Sequence, residues 1–314
     1  MIELKNLRIE AVWGCVPANT VDNLELCTVL VGAAKAASIV KSTGFAYRRA
    51  AEPGKTLMDL VLPAARKALE GVDAASIGGV VVVTFSAANR FPALSIRLQH
   101  ALGLAKDVVA LDLQLACGGY PYGLLVAGQI AAATGRKVLL VDGDVQSAHV
   151  DAADVNTLAV MSDAATATLV SVSDSGGPAQ FAVYTDGSGA DVLTCGVDGK
   201  IRMDGFGVFR FVAGPVAEFL KGFLASTAVN PDLFVPHQAN MYMVRQLAKS
   251  LGLEDRLLTS GERFANPGSC SVALTLAANA GTGRALLAGF GAGLAAAAAC
   301  VDVPADCRRG VLEV

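Results

Sequence analysis

Hydrophobic and polar positions alternate along the chain in segments of two different periods. Residues 80–85 are apolar and largely β-branched, follow Gly78-Gly79, and predict a buried strand. Residues 93–102 set Leu94, Ile96, Leu98 and Leu102 among Ser95, Arg97, Gln99 and His100, which predicts a helix. Residues 108–113 and 137–142 predict two further strands, and between them residues 118–134 carry almost no polar side chain except Gln129. A helix that is apolar all round is a buried helix. The succession of strand and helix patterns predicts an α/β protein of layered sheets.

The second half repeats this order. Leu102-Gly103-Leu104 is followed by a strand, Cys117, an apolar helix, Gly135-Arg136 and another strand. Leu251-Gly252-Leu253 is followed by a strand-like stretch, Asn266, an apolar helix, Gly283-Arg284 and a strand. Upstream, residues 80–85 and the helix after them match a strand at 232–235 and a helix at 241–251. Cys117 and Asn266 are 149 residues apart, as are the two Leu-Gly-Leu triplets. The co-linear match predicts an internal duplication with halves 1–170 and 171–314, joined through the polar, Gly-rich residues 171–178. A pseudo-dyad between the halves would bring Cys117 and Asn266 together.

Composition narrows the function class. Hydrophobic residues are 53% and charged residues 17% of the 314, against about 45–50% and about 25% in average domains. The apolar surplus needs a large interior, which excludes disorder and coiled coil. Twenty-five basic against 28 acidic residues leave a net charge of −3. That leaves no cationic excess to neutralise a nucleic-acid backbone. The longest apolar stretch, 285–301, is Ala- and Gly-rich and shorter than the roughly 20 residues a membrane span needs. It predicts a buried strand and turn near a site. Seven scattered cysteines without paired spacing, and an N-terminus without a signal-peptide core, predict a cytoplasmic protein with neither disulfides nor a metal site.

Three positions carry candidate chemistry. Cys117, in Leu-Ala-Cys-Gly-Gly-Tyr, follows a strand and opens the buried helix. A thiol at a helix N-terminus meets the positive end of the dipole, which predicts a lowered pKa and a reactive thiolate. The alternative is a small buried hydrophobe. His237, in Val-Pro-His-Gln-Ala-Asn, lies between strand and helix, where α/β proteins place catalytic groups; the alternative is a surface-loop histidine. Asn266 precedes Pro267 and Gly268, which also fits an ordinary Asn-Pro turn. His100 reads as a residue at a helix C-terminus and His149 as part of a polar loop. Residues 289–293, Gly-Phe-Gly-Ala-Gly, are either a structural turn or a source of backbone N–H groups for an oxyanion.

LACGGY, VPHQAN, FANPGSCSVAL and GFGAG, in this order and spacing, resemble the β-ketoacyl-ACP synthase III family of thiolase-fold condensing enzymes. STGFAYRRA and NRFPALSIRL are similar to that family as well, so the resemblance runs from about Lys41 to Ala297. It implies a five-layered αβαβα thiolase fold built by duplication. It further implies a homodimer without a permanently bound cofactor, using acyl-CoA and malonyl-CoA or malonyl-ACP, with acyl carrier protein as a possible partner. By this resemblance Cys117 is the acyl-accepting nucleophile, and His237 and Asn266 act on the malonyl thioester. The backbone N–H groups of Cys117 and Ala292 form the oxyanion hole. Phe91 closes the partner's acyl pocket; the plainer alternative is a Phe-Pro turn packed within its own subunit.

Several positions depart from the family pattern. Ser38 and Ser42 stand where the family has tryptophan and arginine for the coenzyme, Tyr242 where it has an arginine for the carrier protein, and Met161-Ser162-Asp163-Ala164-Ala165 where it has Phe-Gly-Asp-Gly-Ala. The departures favour a specialised acyl donor, carrier or partner subunit. Two other functions are compatible with the resemblance: an acyltransferase forming an ester or amide, and a non-catalytic partner subunit.

Overall fold

A computed structural model describes residues 1–314. Ten strands form one continuous sheet system. Its order runs Leu233–Pro236, Gly283–Gly291, Ala295–Val303, Gly177–Thr185, Ile2–Val16, Ala164–Val172, Lys137–Asp144, Ile77–Val83, Val109–Leu113, with Arg308–Glu313 also paired to Ile2–Val16. The 15-residue strand Ile2–Val16 joins the two wings: its start pairs with Gly177–Thr185 and its later part with Ala164–Val172.

The wings repeat one pairing pattern. Ile77–Val83 lies parallel to Lys137–Asp144, which is antiparallel to Ala164–Val172, which is antiparallel to Ile2–Val16. Leu233–Pro236 lies parallel to Gly283–Gly291, which is antiparallel to Ala295–Val303, which is antiparallel to Gly177–Thr185. Even the outer parallel pairing of Ile77–Val83 with Val109–Leu113 has a remnant on the other side, the single parallel bridge Phe234–Leu257. The strand-like stretch expected after Leu253 is otherwise a 3-10 turn, Glu254–Arg256, because its consecutive charges leave too few apolar positions to sustain a buried strand.

Two helices lie between the wings: the first inner helix Gly119–Thr134 and the second inner helix Ser271–Ala278. Tyr120, Leu124, Val272 and Leu276 share one core with Leu140 and Leu287 from the two wings. Leu57–Ala68 and Leu94–Ala101 cover the outside of one wing, and the helices of 205–251 cover the outside of the other. The layers are therefore αβαβα. Small side chains make this close stacking possible. A Cβ at Gly123 would stand 2.7 Å from Leu140, and one at Gly119 would stand 2.3 Å from Val83.

The boundaries shift by a few residues. The polar segment 171–178 is strand at both ends and turns over its middle half, where Gly176 N–H donates to Ser173 C=O at 2.8 Å. The apolar stretch 285–301 is a hairpin of two buried strands. No helix is long and apolar enough to cross a membrane.

Candidate active site

Cys117, His237 and Asn266 line one cleft of about 840 Å³ including its open mouth, together with Phe290 and Gly291. Each sits just beyond the end of a strand or just before an inner helix. Cys117 leaves the strand Val109–Leu113 and is followed by Gly118, the cap of the first inner helix. His237 follows Leu233–Pro236, and its N–H donates to Ala288 C=O at 2.7 Å. Asn266 precedes the turn Gly268–Cys270 that leads into the second inner helix. All three are buried.

The glycines of 289–293 let two backbones meet. A Cβ at Gly289 would stand 2.8 Å from Gly118 O, and one at Gly291 would stand 2.7 Å from Cys117 Cβ and 3.3 Å from its Sγ. Gly291 thus lies directly against the thiol, and no larger residue fits there. Ala292 is half-buried and directly follows Gly291, which lines the cleft. Phe91, at 86% exposure, projects into solvent, so the alternative of a turn packed within its own subunit does not hold.

Asn266 is held by its backbone, which leaves its side chain free for the cleft. Its N–H donates to Val160 C=O (3.1 Å), and its C=O accepts from the Ser162 amide (3.0 Å) and from Gln146 Nε2 (2.8 Å). Its Oδ1 accepts from the Gly268 amide at 3.0 Å, and Nδ2 reaches Ala239 C=O only at 3.4 Å. Ala265, next to it, has φ +50°, a conformation a non-glycine residue adopts only when its surroundings enforce it.

A buried carboxylate braces the floor. Asp144 accepts from Thr84 Oγ1 (2.8 Å), the Phe85 amide (3.0 Å), Ser86 Oγ (2.9 Å) and Ser269 Oγ (3.3 Å). It thereby ties the end of one wing to the Asn266 loop. Burial pushes its pKa up to about 6 in spite of those donors. The departure at 161–165 is wired in as well: Asp163 accepts from the Ala51 amide (2.7 Å) and the Ser147 amide (2.8 Å).

His237 is neutral in this setting. Burial lowers its pKa to about 3, against a hydrogen bond from the ring to the Gly268 backbone carbonyl, which raises it. Its Nδ1 lies 2.7 Å from Ser271 Oγ, and its ring meets Phe290 edge-on at 5.5 Å. The other two histidines stay outside the cleft. His149 Nδ1 is 2.8 Å from Gly199 C=O, and His100 lies in the last turn of its helix. Ser271, Gln146 and Asp144 went unmarked in the sequence. Only the polar residues closing the strand 137–144 and opening the second inner helix hinted at them.

The expectation of a lowered Cys117 pKa is reversed. Burial, and secondarily the charge of Asp144, push this thiol up to about 12. The positive end of the helix is present, but removing a thiolate from water outweighs it. Iodoacetamide should therefore label exposed Cys195 first. The labelling rate of Cys117 should climb roughly tenfold per pH unit from pH 7 to 10, following its small thiolate fraction. A Cys117 rate that levels off below pH 9 in peptide mapping would contradict this.

The family model described as 3-oxoacyl-[acyl-carrier-protein (ACP)] synthase III matches residues 111–196, and its C-terminal counterpart matches 226–303. The chain is 33% identical over 308 residues to beta-ketoacyl-[acyl-carrier-protein] synthase III 2 of Streptomyces coelicolor, covering 93% of this chain and 92% of that one. A 3-oxoacyl-(acyl-carrier protein) synthase from Burkholderia xenovorans superposes with a TM-score of 0.95 at 28% identity, over 100% and 98% of the two chains. The priming beta-ketosynthase of the R1128 polyketide pathway superposes with a TM-score of 0.86 at 31% identity, over 97% and 99%.

Proposed function

Because the chain belongs to the 3-oxoacyl-[acyl-carrier-protein] synthase III family, we propose that Cys117 takes an acyl group from a thioester and passes it to the carbanion formed by decarboxylating a malonyl thioester. The chain is a condensing acyltransferase. The observation that carries the assignment of residues is that Cys117, His237 and Asn266 line one buried cleft from three separate parts of the sequence.

In the first half-reaction the Cys117 sulfur attacks the acyl carbonyl, the thiol proton leaves with the departing thiol, and a thioester to Cys117 remains. The backbone N–H groups of Cys117 and Ala292 stabilise the tetrahedral oxyanion. The high thiol pKa means that the proton leaves during attack and not before it.

In the second half-reaction loss of CO2 leaves negative charge on the malonyl thioester oxygen. The Gln238 amide donates to Ser271 Oγ at 3.4 Å, which frees the Ser271 hydroxyl proton for His237 Nδ1. The imidazole proton then sits on Nε2. That N–H and Asn266 Nδ2–H donate to the enolate oxygen, and the carbanion attacks acyl-Cys117 to release a β-ketoacyl thioester. No permanently bound cofactor enters these steps.

The protein works as a homodimer in the cytoplasm, with the exposed Phe91 of each subunit closing the acyl end of the partner's cleft. The test is a coupled assay with acyl and malonyl thioesters, scored by mass for the β-ketoacyl product across acyl lengths. Wild-type protein should yield it. Phe91→Ala should shift the preference toward longer or branched chains, because overfilling a packed site costs about 1–3 kcal/mol. Formation of an ester or amide in place of a β-ketoacyl product would overturn the assignment.

A further inference from the structure

The strands Leu193–Cys195 and Ile201–Met203 form a two-stranded hairpin that pairs with no strand of the main sheet. Leu193 and Met203 nevertheless line the catalytic cleft, so this part of its wall is held in place by something other than the sheet. Within the hairpin, Asp198 accepts from the Lys200 amide at 3.1 Å and pairs with Arg202 at 2.5 Å, which shapes the turn without anchoring it. Three hydrogen bonds join residues 193–203 to the rest of the protein, and all three end on His149 or Val150. The Ile201 amide donates to His149 C=O at 2.8 Å, and Lys200 Nζ donates to Val150 C=O at 3.3 Å. The third joins His149 Nδ1 to Gly199 C=O at 2.8 Å.

A carbonyl oxygen only accepts, so the proton of that third bond sits on Nδ1. Of the three bonds it alone depends on the side chain at position 149, because the Ile201 and Lys200 bonds end on backbone carbonyls. The ring is further fixed by Phe85, which it meets edge-on at 5.5 Å between centres. The same short segment reaches the opposite side of the cleft. His149 N–H donates to Gln146 C=O at 2.8 Å, and Gln146 Nε2 donates to the C=O groups of Asn266 and Ser162, each at 2.8 Å. Under the hairpin, Leu193, Ile201 and Met203 pack with Met161, which itself lines the cleft and bridges to Asn266 through the backbone. Residues 146–149 thus run from the asparagine of the cleft to its hairpin wall, with His149 at the wall end.

We propose that His149 is a positioning residue of the condensing reaction: its Nδ1–H holds Gly199, and with it the hairpin 193–203, as a wall of the cleft, and so sets how tightly the cleft binds its thioester without touching a reacting atom. The inference rests on the assignment of Cys117 as the acyl acceptor, since the wall confines the thioester bound beside that thiol. Releasing the wall leaves the reacting groups where they are. Cys117 is set by the start of the first inner helix, His237 by Ala288 and Ser271, and Asn266 by Val160, Ser162 and Gln146. The thioester then binds more weakly but reacts at the same rate once bound. His149→Asn keeps the tether, because the amide nitrogen of asparagine takes the place of Nδ1 as donor. His149→Leu keeps much of the bulk and removes the donor.

The experiment follows acylation of Cys117 in the full chain by intact-protein mass spectrometry, against the concentration of whichever straight-chain acyl-CoA acylates the wild type best. His149→Leu should raise the half-saturating concentration by roughly three- to tenfold, the range one hydrogen bond commands, with the maximal rate within about twofold of wild type. His149→Asn should restore the wild-type half-saturating concentration. Limited trypsin digestion without donor reads the hairpin itself at Lys200 and Arg202. His149→Leu should be cut there several-fold faster than wild type and His149→Asn, with the other sites unaffected. An unchanged half-saturating concentration in His149→Leu, a fall in its maximal rate alone, or a His149→Asn protein that behaves like His149→Leu overturns the inference and leaves Cys117 as the acceptor. Equal cutting at the hairpin in all three proteins overturns it as well, and so does faster cutting of His149→Leu along the whole chain, which would give His149 a role in the fold at large. Failure of every donor to acylate wild-type Cys117 overturns the assignment of that residue and the inference with it, and the digestion pattern tells the two failures apart.

Discussion

Cys117→Ala is expected to abolish the covalent acyl adduct and to lower β-ketoacyl product formation by on the order of 10⁴-fold or more, the scale on which covalent enzymes lose rate with their nucleophile. The reason lies in the surroundings of the thiol. Six other cysteines are present, but Cys15, Cys27, Cys270, Cys300 and Cys307 are buried in the core, and Cys195 is exposed on a hairpin. None of those six lines the cleft with His237 and Asn266. The fold should survive the change. Alanine removes one sulfur from a position that opens onto the cleft, and the Gly118 and Gly291 backbones around it need no larger side chain. Because His237 and Asn266 remain, the variant should still release CO2 from a malonyl thioester while forming no new carbon–carbon bond. Intact-protein mass after incubation with the acyl donor, together with CO2 release, reads the two halves separately. A Cys117→Ala protein that still shows an acyl adduct would move the acceptor to another residue.

How far the sequence reaches depends on whether a feature is local. The first inner helix is legible because Gly119–Thr134 is apolar on every side, a pattern only a buried helix explains. The pairing of Cys117 with Asn266 is legible because two copies of one segment order lie 149 residues apart. The strand Ile2–Val16 is harder to see: its first ten residues alternate charged and apolar, yet it joins both wings through partners more than 150 residues away. Asp144 is similarly opaque, since its five donors come from residues 84–86 and 269. The pKa of Cys117 was misread for the same reason. The helix end is written in the neighbouring residues, whereas the desolvation that outweighs it comes from chain folded over the site from both wings. Ser271 lies five residues beyond Asn266, but its contact with His237 depends on the second inner helix starting there.

His237→Ala and Asn266→Ala are expected to keep acylation of Cys117 within a few-fold of wild type and to lose condensation by about 10²–10³-fold each, the usual cost of one oxyanion donor. The double variant should lose less than the product of the two, because both donors serve one oxygen. The pH dependence separates this role from general-base catalysis. Burial holds His237 at about 3, so the ring is already neutral at pH 5 and stays neutral to pH 8. A group whose folded pKa is depressed cannot titrate in that window, and the condensation rate should show no inflection near the ordinary histidine value of about 6.5. Ser271→Ala provides a finer test. Removing the partner of Nδ1 lets the ring proton divide between the two nitrogens, so condensation should fall several-fold while acylation is unchanged. Acidification to about pH 3 and below should protonate His237, so that Nδ1 can no longer accept from Ser271. Single-turnover transfer from acyl-Cys117 to a malonyl thioester, measured from pH 5 to 8 on pre-acylated protein, isolates this step. A sigmoidal rise centred near pH 6.5 would mean that His237 works as a titrating base and would set aside its assignment as a neutral hydrogen-bond donor.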